Sequence, residues 1–400
     1  MKPSKNIILI FRFFWRFLFL ISILYFFYFY FIKKRIDKDN ISYYKVNSIE
    51  KNAIVKPIKI KIDSVSINDL NNDFSGFGYF ITFDEKLFFL DEKFGQICEY
   101  SDGALIKKFN IFNNVRKFFS LKNSYLINEN EIISYNEKNK SIVNISNNKI
   151  IEDKIIFKYK RSNNEIINNP LPHYMDIYDI DDGFENIFQK IDENYGLISL
   201  TSSHPLLNNF NNNDFYIHHA RIFGLINLNN GKIVKVLGRK SPELAYKNNP
   251  MFDHFIYYVN NDTVFVNYLT DPTLYIIDIK HDKVLNKFGE SGIDMKTNYT
   301  IRKSYDEITQ YFSTDFEKFG YYTSIFYDNS EKVLLRTYKK GENYKDGLQV
   351  YNNFNLVLDT IIPNGLKIKG KIGKDKYIAS KKLNGNKNEF KFYYISIEKK

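Results

Sequence analysis

One cysteine, one tryptophan, four methionines and nine prolines in 400 residues set the first limits on this chain. A single thiol, Cys98, excludes an internal disulfide framework and a cysteine-based zinc site. Alanine, the strongest helix former, is nearly absent, which tilts the chain away from helical bundles. Basic runs of the kind that track a phosphate backbone are also missing. The formal charge is +11, but residues 1–40 hold eight Lys/Arg against two Asp/Glu, leaving 49 against 44 for the rest. Nucleic acid is therefore excluded as a partner. There is no G-x-S-x-G elbow, P-loop, dinucleotide fingerprint or H-E-x-x-H pair. That removes enzyme classes whose chemistry is written in a contiguous motif, though not those that gather residues from separate repeats.

What is abundant points one way. Aromatic residues make up 17% of the chain, with 31 Tyr and 37 Phe, and apolar residues 44%. Tyr, Phe and Ile suit pleated, half-buried surfaces, so the composition predicts an all-β protein with ample surface to bury.

The N-terminal stretch "NIILIFRFFWRFLFLISILYFFYFYFIKKR" is the exception. Sixteen residues from Phe17 to Ile32 carry no charge. Counting from Ile7 gives 26, about 39 Å of helix at 1.5 Å per residue, enough for the roughly 30 Å hydrocarbon core. Arg12 and Arg16 lie four apart, where long side chains snorkel to the headgroups beside an interfacial Trp15. No small-residue cleavage site follows, and no cysteine before Cys98 could accept a lipid. Residues 1–32 are thus expected to be an uncleaved transmembrane anchor, meeting the membrane through residues 7–32, with 33–54 as linker. The expected placement is single-pass in a bacterial inner membrane, with the main domain, residues 55–400, in the periplasm.

That domain repeats itself. "LINLNNGKIVKVLG" (225–238) is echoed by "IIDIKHDKVLNKFG" (276–289), "ICEYSDGALIKKFN" (97–110) and "IVNISNNKIIEDKI" (142–155), and more loosely by "LQVYNNFNLVLDTI" (348–361). Each reads as two short strands around a turn, with Asp102-Gly103 and Asn230-Gly231 supplying residues that tolerate φ > 0. Upstream of four copies lies another strand–turn–strand phrase: 79–90, 124–135, 256–268 and 324–338. Together they make four antiparallel strands, one propeller blade.

Two intervals are overlong, and helical insertions are expected there. "SYDEITQYFSTDFEKF" opens on a Ser304 to Glu307 capping box, and "DGFENIFQKI" on an Asp182 to Glu185 box. The alternative for residues 156–195 is a degenerate seventh blade. The C-terminal stretch supplies only three strands, whereas "KPIKIKIDSV" after the anchor alternates Ile58, Ile60 and Ile62 and has no partner nearby. Pairing it into the last blade would close a ring of about six blades.

"SIFYDNSEKVLLRTYKK", with Tyr327, Asp328 and Arg336, together with "GRKSPELAY" and "YLTDPTLYIID", resembles the six-bladed, TolB-like propeller proteins of Bacteroides-type envelopes, a domain-of-unknown-function family. The resemblance covers most of residues 55–400. It implies fold and envelope location and brings no activity with it. Many such proteins begin as lipoproteins; the lack of an acylatable cysteine here implies an inner-membrane tether instead.

Candidate ligand-binding residues are His173, His204, His254 and Arg336. The three histidines, with a carboxylate, are the set that different blades would bring to the channel mouth. His218 and His219 are adjacent in an expected strand and so face opposite ways. Arg336 ends the apolar run "KVLLRTY" and reads either as a ligand contact or as an edge salt bridge. "DIYDIDDGFEN" offers Asp176, Asp179, Asp181, Asp182 and Glu185 to calcium, but without EF-hand spacing. No catalytic residue, metal ligand or cofactor is assigned. The expected function is non-enzymatic binding of a protein, peptide or glycan. The alternative is an envelope hydrolase or lyase with a channel-mouth site that uses a divalent cation.

Overall fold

The computed structural model describes residues 5–28, 42–46, 58–67, 75–110, 120–129, 131–146, 149–158, 161–169, 171–182, 187–204, 216, 218–241, 252–302, 304–342, 344–383 and 390–399. The chain divides into two compact units, Met1–Lys45 and Val46–Lys400. Most of the expected linker lies outside the described residues.

In the first unit, helix α1 (Lys5–Phe27) occupies the apolar stretch. The side chains described on it, Phe13 to Tyr28, are all exposed. Among the described residues no helix is long and apolar enough to cross a membrane.

In the second unit, strand β1 (Ile58–Ser66) precedes blade 1, formed by β2 (Gly78–Phe83), β3 (Lys86–Asp91), β4 (Gln96–Ser101) and β5 (Ala104–Asn110). Blade 2 follows with β6 (Leu121–Asn128), β7 (Glu131–Asn136), β8 (Ser141–Ser146) and β9 (Lys149–Lys154). Blade 3 contains β10 (Tyr178–Ile180), β11 (Phe188–Lys190), β12 (Tyr195–Ser202), β13 (Phe223–Asn227) and β14 (Ile233–Leu237). Blade 4 has β15 (Phe255–Asn260), β16 (Thr263–Tyr268), β17 (Leu274–Asp278) and β18 (Lys283–Phe288). Blade 5 has β19 (Tyr321–Asp328), β20 (Val333–Lys339), β21 (Gly347–Asn352) and β22 (Asn355–Ile361). Blade 6 takes β23 (Lys367–Lys371), β24 (Lys376–Ser380) and β25 (Lys391–Lys399) from the C-terminus and β1 from the other end, in the order β1-β25-β24-β23. The protein is a six-bladed β-propeller.

Closure follows the expected route. β1 pairs antiparallel with β25 along its whole length, from Ile58 opposite Lys399 to Ser66 opposite Lys391. Ile58, Ile60 and Ile62 pack on a cluster that includes Val333, Leu335 and Leu348 of blade 5 and Tyr377, Ala379 and Ile395 of blade 6. The core therefore lies between successive blades, where apolar faces of neighbouring sheets meet. Cys98 sits in the next such layer, between blades 6 and 1, with Phe80, Phe89 and Phe392, as a buried small apolar residue.

The predicted hairpins form where read, with one change of detail. Asp102 and Gly103 both have positive φ, as do Asp84 and Glu85, but in the 228–232 turn Gly231 does and Asn230 does not. Four of the five hairpins between third and fourth strands carry a register shift that adds local twist.

Residues 156–195 correct two expectations. The stretch read as an amphipathic helix contains β11, which pairs with β12 from Phe188 opposite Ile198 to Lys190 opposite Gly196. β10 pairs with the far end of the same strand, Tyr178 opposite Ser202. Residues 183–186 lie outside the described residues; the described parts of the segment form no seventh blade, and β10 and β11 are the inner strand of blade 3 in two short pieces. Its helix lies earlier, at α2 (Asn163–Asn168), where Ser162 and Glu165 form a reciprocal capping box. The other insertion is helical as expected: α3 (Tyr305–Lys318) begins where the Ser304 side chain accepts from Glu307 N.

Candidate functional site

The inner strands touch in ring order, β2, β6, β11, β15, β19, β23 and back to β2. Because strands alternate in direction, connections alternate between the two ends of the ring. At one end they are tight turns, such as 84–85, 102–103, 261–262 and 353–354, none longer than 228–232. At the other lie 155–177, 203–222, 238–254 and 289–320. This end carries nearly all the chain that is free to vary without disturbing the blades.

A cavity of about 870 Å³ opens at this end between blades 5 and 6. Tyr321 and Thr323 enter it from β19, Lys339 from β20 and Lys367 from β23, with Tyr344, Lys345 and Asp346 from the loop ahead of β21 and Glu317 from α3. Its walls are fixed. Asp315, 1% exposed, receives both Arg302 Nε at 2.9 Å and Nη2 at 2.7 Å, clamping α3 to the chain before it. Phe316 of α3 lies 4.7 Å from Phe252. A Cβ on Gly341, at φ 114°, would come within 2.6 Å of Lys318 O, so only glycine lets the loop approach the helix end. Asp346 Oδ2 accepts from Gly365 N at 2.6 Å, joining the loop to the approach of blade 6. Burial raises the Asp346 pKa; the Gly365 N–H, Lys339 and Lys381 oppose it.

A second cavity, about 420 Å³, runs along the ring axis and is lined by all six inner strands. It meets the cleft at Lys367 and Thr323, which line both. Side chains stitch neighbouring inner strands together around it. Ser124 N donates to the Tyr79 hydroxyl at 3.0 Å, and Asn123 Oδ1 accepts from Ile187 N at 3.0 Å. Gln189 donates from Nε2 to Tyr257 O at 2.6 Å and accepts Val259 N on Oε1 at 2.7 Å, imitating one step of a β-ladder. Ile368 N donates to Ser324 Oγ at 3.1 Å. At Gly370 a Cβ would fall 1.7 Å from Thr82 Oγ1, so blade 6 reaches blade 1 only through glycine.

Arg336 lies elsewhere, in the middle of β20 and 0% exposed. Nε donates to Gln349 Oε1 at 2.9 Å; Nη1 to Pro272 O at 2.8 Å and Asn267 Oδ1 at 3.3 Å; Nη2 to Glu290 O at 2.7 Å and the Tyr351 hydroxyl at 2.7 Å. The guanidinium also lies 4.0 Å from the Tyr322 ring centre. Among the described residues every donor is occupied by a neutral acceptor, and Arg336 makes no salt bridge. The motif phrases meet in the same region: Ser241 of "GRKSPELAY" donates to Asp271 of "YLTDPTLYIID" at 2.9 Å, and Asn267 Nδ2 to Asp271 O at 2.7 Å. Arg336 thus joins blade 5 to blade 4, and Ser241 ties the approach of blade 4 to its own β16–β17 connection.

The histidines do not converge. His204 is buried with Nε2 2.8 Å from Ile166 O of α2. His173 lies against Tyr174, and burial, then Arg221 and Arg161, hold its pKa below the ordinary value. His254 Nδ1 is 3.4 Å from Asp181. His218 and His219 sit in a helical turn closed by Ala220 N to Tyr216 O at 2.8 Å, not in a strand. The acidic stretch is dispersed in the same way: Asp176 binds Arg161 at 2.5 Å and Asp179 binds Lys140 at 3.0 Å. Glu185 lies outside the described residues. Among the described residues no three His, Cys, Asp or Glu side chains are grouped to hold a metal.

Sequence reasoning missed one charged cluster at the long-connection end. Lys240, 1% exposed, lies 3.0 Å from Asp253 Oδ1 and 5.2 Å from the Tyr216 ring. Burial raises the Asp253 pKa despite Lys240, and burial and then Asp253 raise that of Tyr216. "GRK" and "FDH" carried the signal, but nothing in the spacing joined them.

No protein-family model matches the chain, and no curated protein does. Its fold is shared with solved structures. A DUF4221 family member from Bacteroides vulgatus ATCC 8482 superposes with a TM-score of 0.58 at 11% identity, covering 86% of this chain and 100% of that one. A protein from Bacteroides fragilis NCTC 9343, classed as exported, gives 0.50 at 12% identity over 85% and 95%. The resemblance to Bacteroides-type propellers therefore holds at the level of fold.

Proposed function

We propose that the chain is an exported, membrane-tethered propeller that binds a protein segment, peptide or glycan in the cleft between blades 5 and 6. The cleft itself carries this reading. It is a cavity of about 870 Å³ at the end of the ring that bears the long connections, and it mixes the Tyr321 and Tyr344 rings with charges of both signs. Such a lining offers stacking and directional hydrogen bonds to an extended polar ligand.

The tether is supported by α1, whose apolar side chains from Phe13 to Tyr28 are exposed all round, an arrangement that water penalises and lipid does not. Export is supported by the fold likeness to a protein classed as exported. A phosphatase fused after Lys400 should be active if the domain reaches the periplasm and inactive if it stays inside. For the cleft, glycan and peptide arrays probed with the intact chain and with Tyr344→Ala/Lys345→Glu should show ligands retained by the first and lost by the second. Equal retention by both would remove the cleft from the account.

The enzyme reading has one specific observation in its favour, the buried Tyr216, Lys240 and Asp253 group with Asp181 and His254 nearby. Perturbed, desolvated titratable groups mark catalytic sites. At 1% and 8% exposure, Lys240 and Asp253 stand too deep to touch a substrate, so this reading ranks second.

A further inference from the structure

The cleft between blades 5 and 6 separates its exposed charges by sign. Glu317 enters it from the last turn of α3, and Glu342 from the chain that follows β20. Glu342 N donates to Lys318 O at 3.3 Å, so the two carboxylates leave neighbouring pieces of backbone. On the other side, the loop ahead of β21 is tied to the approach of blade 6: Asp346 N donates to Asn364 Oδ1 at 3.1 Å, and Gly365 N to Asp346 Oδ2 at 2.6 Å. Lys345 immediately precedes that tie, and Lys382 lines the same cleft from the β24–β25 connection. Tyr344, also exposed, stands between Glu342 and Lys345 in the loop, with the Lys296 ammonium 5.4 Å from its ring centre.

The other charges of the lining are committed. Lys339 donates to Phe316 O at 2.8 Å, Asp346 accepts from Gly365, and Lys367 is half-buried and engaged within the protein. Glu317, Glu342, Lys345 and Lys382 are exposed, and among the described residues their carboxylates and ammonium groups make no hydrogen bond or ion pair. The field of Lys382 reaches Glu92 of blade 1 without an ion pair forming. Two acids therefore stand at the α3 side and two ammonium groups at the blade 6 side. Exposed charges of this kind add little affinity, but they discriminate between occupants. A uniformly acidic chain meets Glu317 and Glu342, a uniformly basic one meets Lys345 and Lys382, and a neutral glycan gains nothing from either pair.

We propose that the cleft selects a short extended peptide segment that carries a basic and an acidic residue on either side of an apolar or aromatic one. The basic residue lies at Glu317 and Glu342, the acidic one at Lys345 and Lys382, and the residue between them packs on Tyr344. A volume of about 870 Å³ falls within the ~300–1,000 Å³ range of sites for ligands of this size. The inference rests on the cleft being the binding site and names the class of its ligand.

The test titrates the intact chain into labelled peptides with both ends capped, followed by fluorescence anisotropy. The probes are Lys-Gly-Tyr-Gly-Glu, its reverse Glu-Gly-Tyr-Gly-Lys, and the versions with Lys, Glu or Gln at both outer positions. One or both mixed-charge orders should bind roughly threefold or more tighter than every other version, and added salt should shrink that advantage. Glu317→Lys/Glu342→Lys should move the preference to the peptide with two Glu, and Lys345→Glu/Lys382→Glu to the one with two Lys. A reversal that lowers the thermal midpoint is replaced by its Gln pair, which should erase the preference at that pole alone. The proposal is overturned if like-charged or uncharged peptides bind as well as the mixed ones, if the preference survives both reversals, or if no peptide binds. In that last case, glycans held by the intact chain and lost by Tyr344→Ala/Lys345→Glu would leave the cleft as the binding site and remove only the peptide; no such glycan would remove both.

Discussion

Arg336 and Asp328, neighbours in one motif phrase, show how opposite a charged residue's role can be. Arg336 is a buried cation surrounded by neutral acceptors, and removing it strands the Pro272 and Glu290 carbonyls and the Gln349 amide. Arg336→Met should cost about 3–5 kcal/mol, read by denaturant unfolding. Arg336→Lys should recover little, because an ammonium cannot reproduce the planar fork. Asp328 is instead an ion-paired link from blade 5 to blade 6. Burial would raise its pKa, but Lys371, Ser330 and Tyr377 outweigh that and hold it at about 2. A carboxyl depressed on folding contributes stability that is full above its unfolded value near 3.9 and lost as pH falls towards 2. Unfolding between pH 4 and 2 should therefore show a loss on the order of 2 kcal/mol that Asp328→Asn lacks. None of this was legible beforehand. The partners of Arg336 lie at positions 267, 272, 290, 349 and 351, and only the fold assembles them.

Among the elements, the hairpins were legible because their alternation is regular and their turns short. β1 was legible for a different reason: the last blade lacked a strand and one alternating segment lacked a partner. The inner strand of blade 3 was hidden, since β10 and β11 are too short to show a period of two. The apolar residues Phe184, Ile187, Phe188 and Ile191 fit a helical face equally well. What overrides that pattern is β12, whose length accepts both pieces. The misreading also concealed the axial cavity, because β11 supplies one of the six strands that line it.

For the whole molecule, the ring assigns tight turns to one end and long connections to the other, and the cleft falls at the latter. The channel lies on the axis because six inner strands define it. The ring itself depends on a single ladder that unites the two ends of the domain, with three half-buried isoleucines contributing on the order of 1 kcal/mol each besides the backbone pairing. The most direct test replaces residues 58–66 with a Gly-Ser segment of equal length in the full chain, then supplies the peptide IKIKIDSVS in trans while following thermal unfolding. The account predicts a midpoint lower by about 10 °C or more, restored saturably by the peptide. An unchanged midpoint, or a lowered one that the peptide leaves where it is, would contradict closure by this strand.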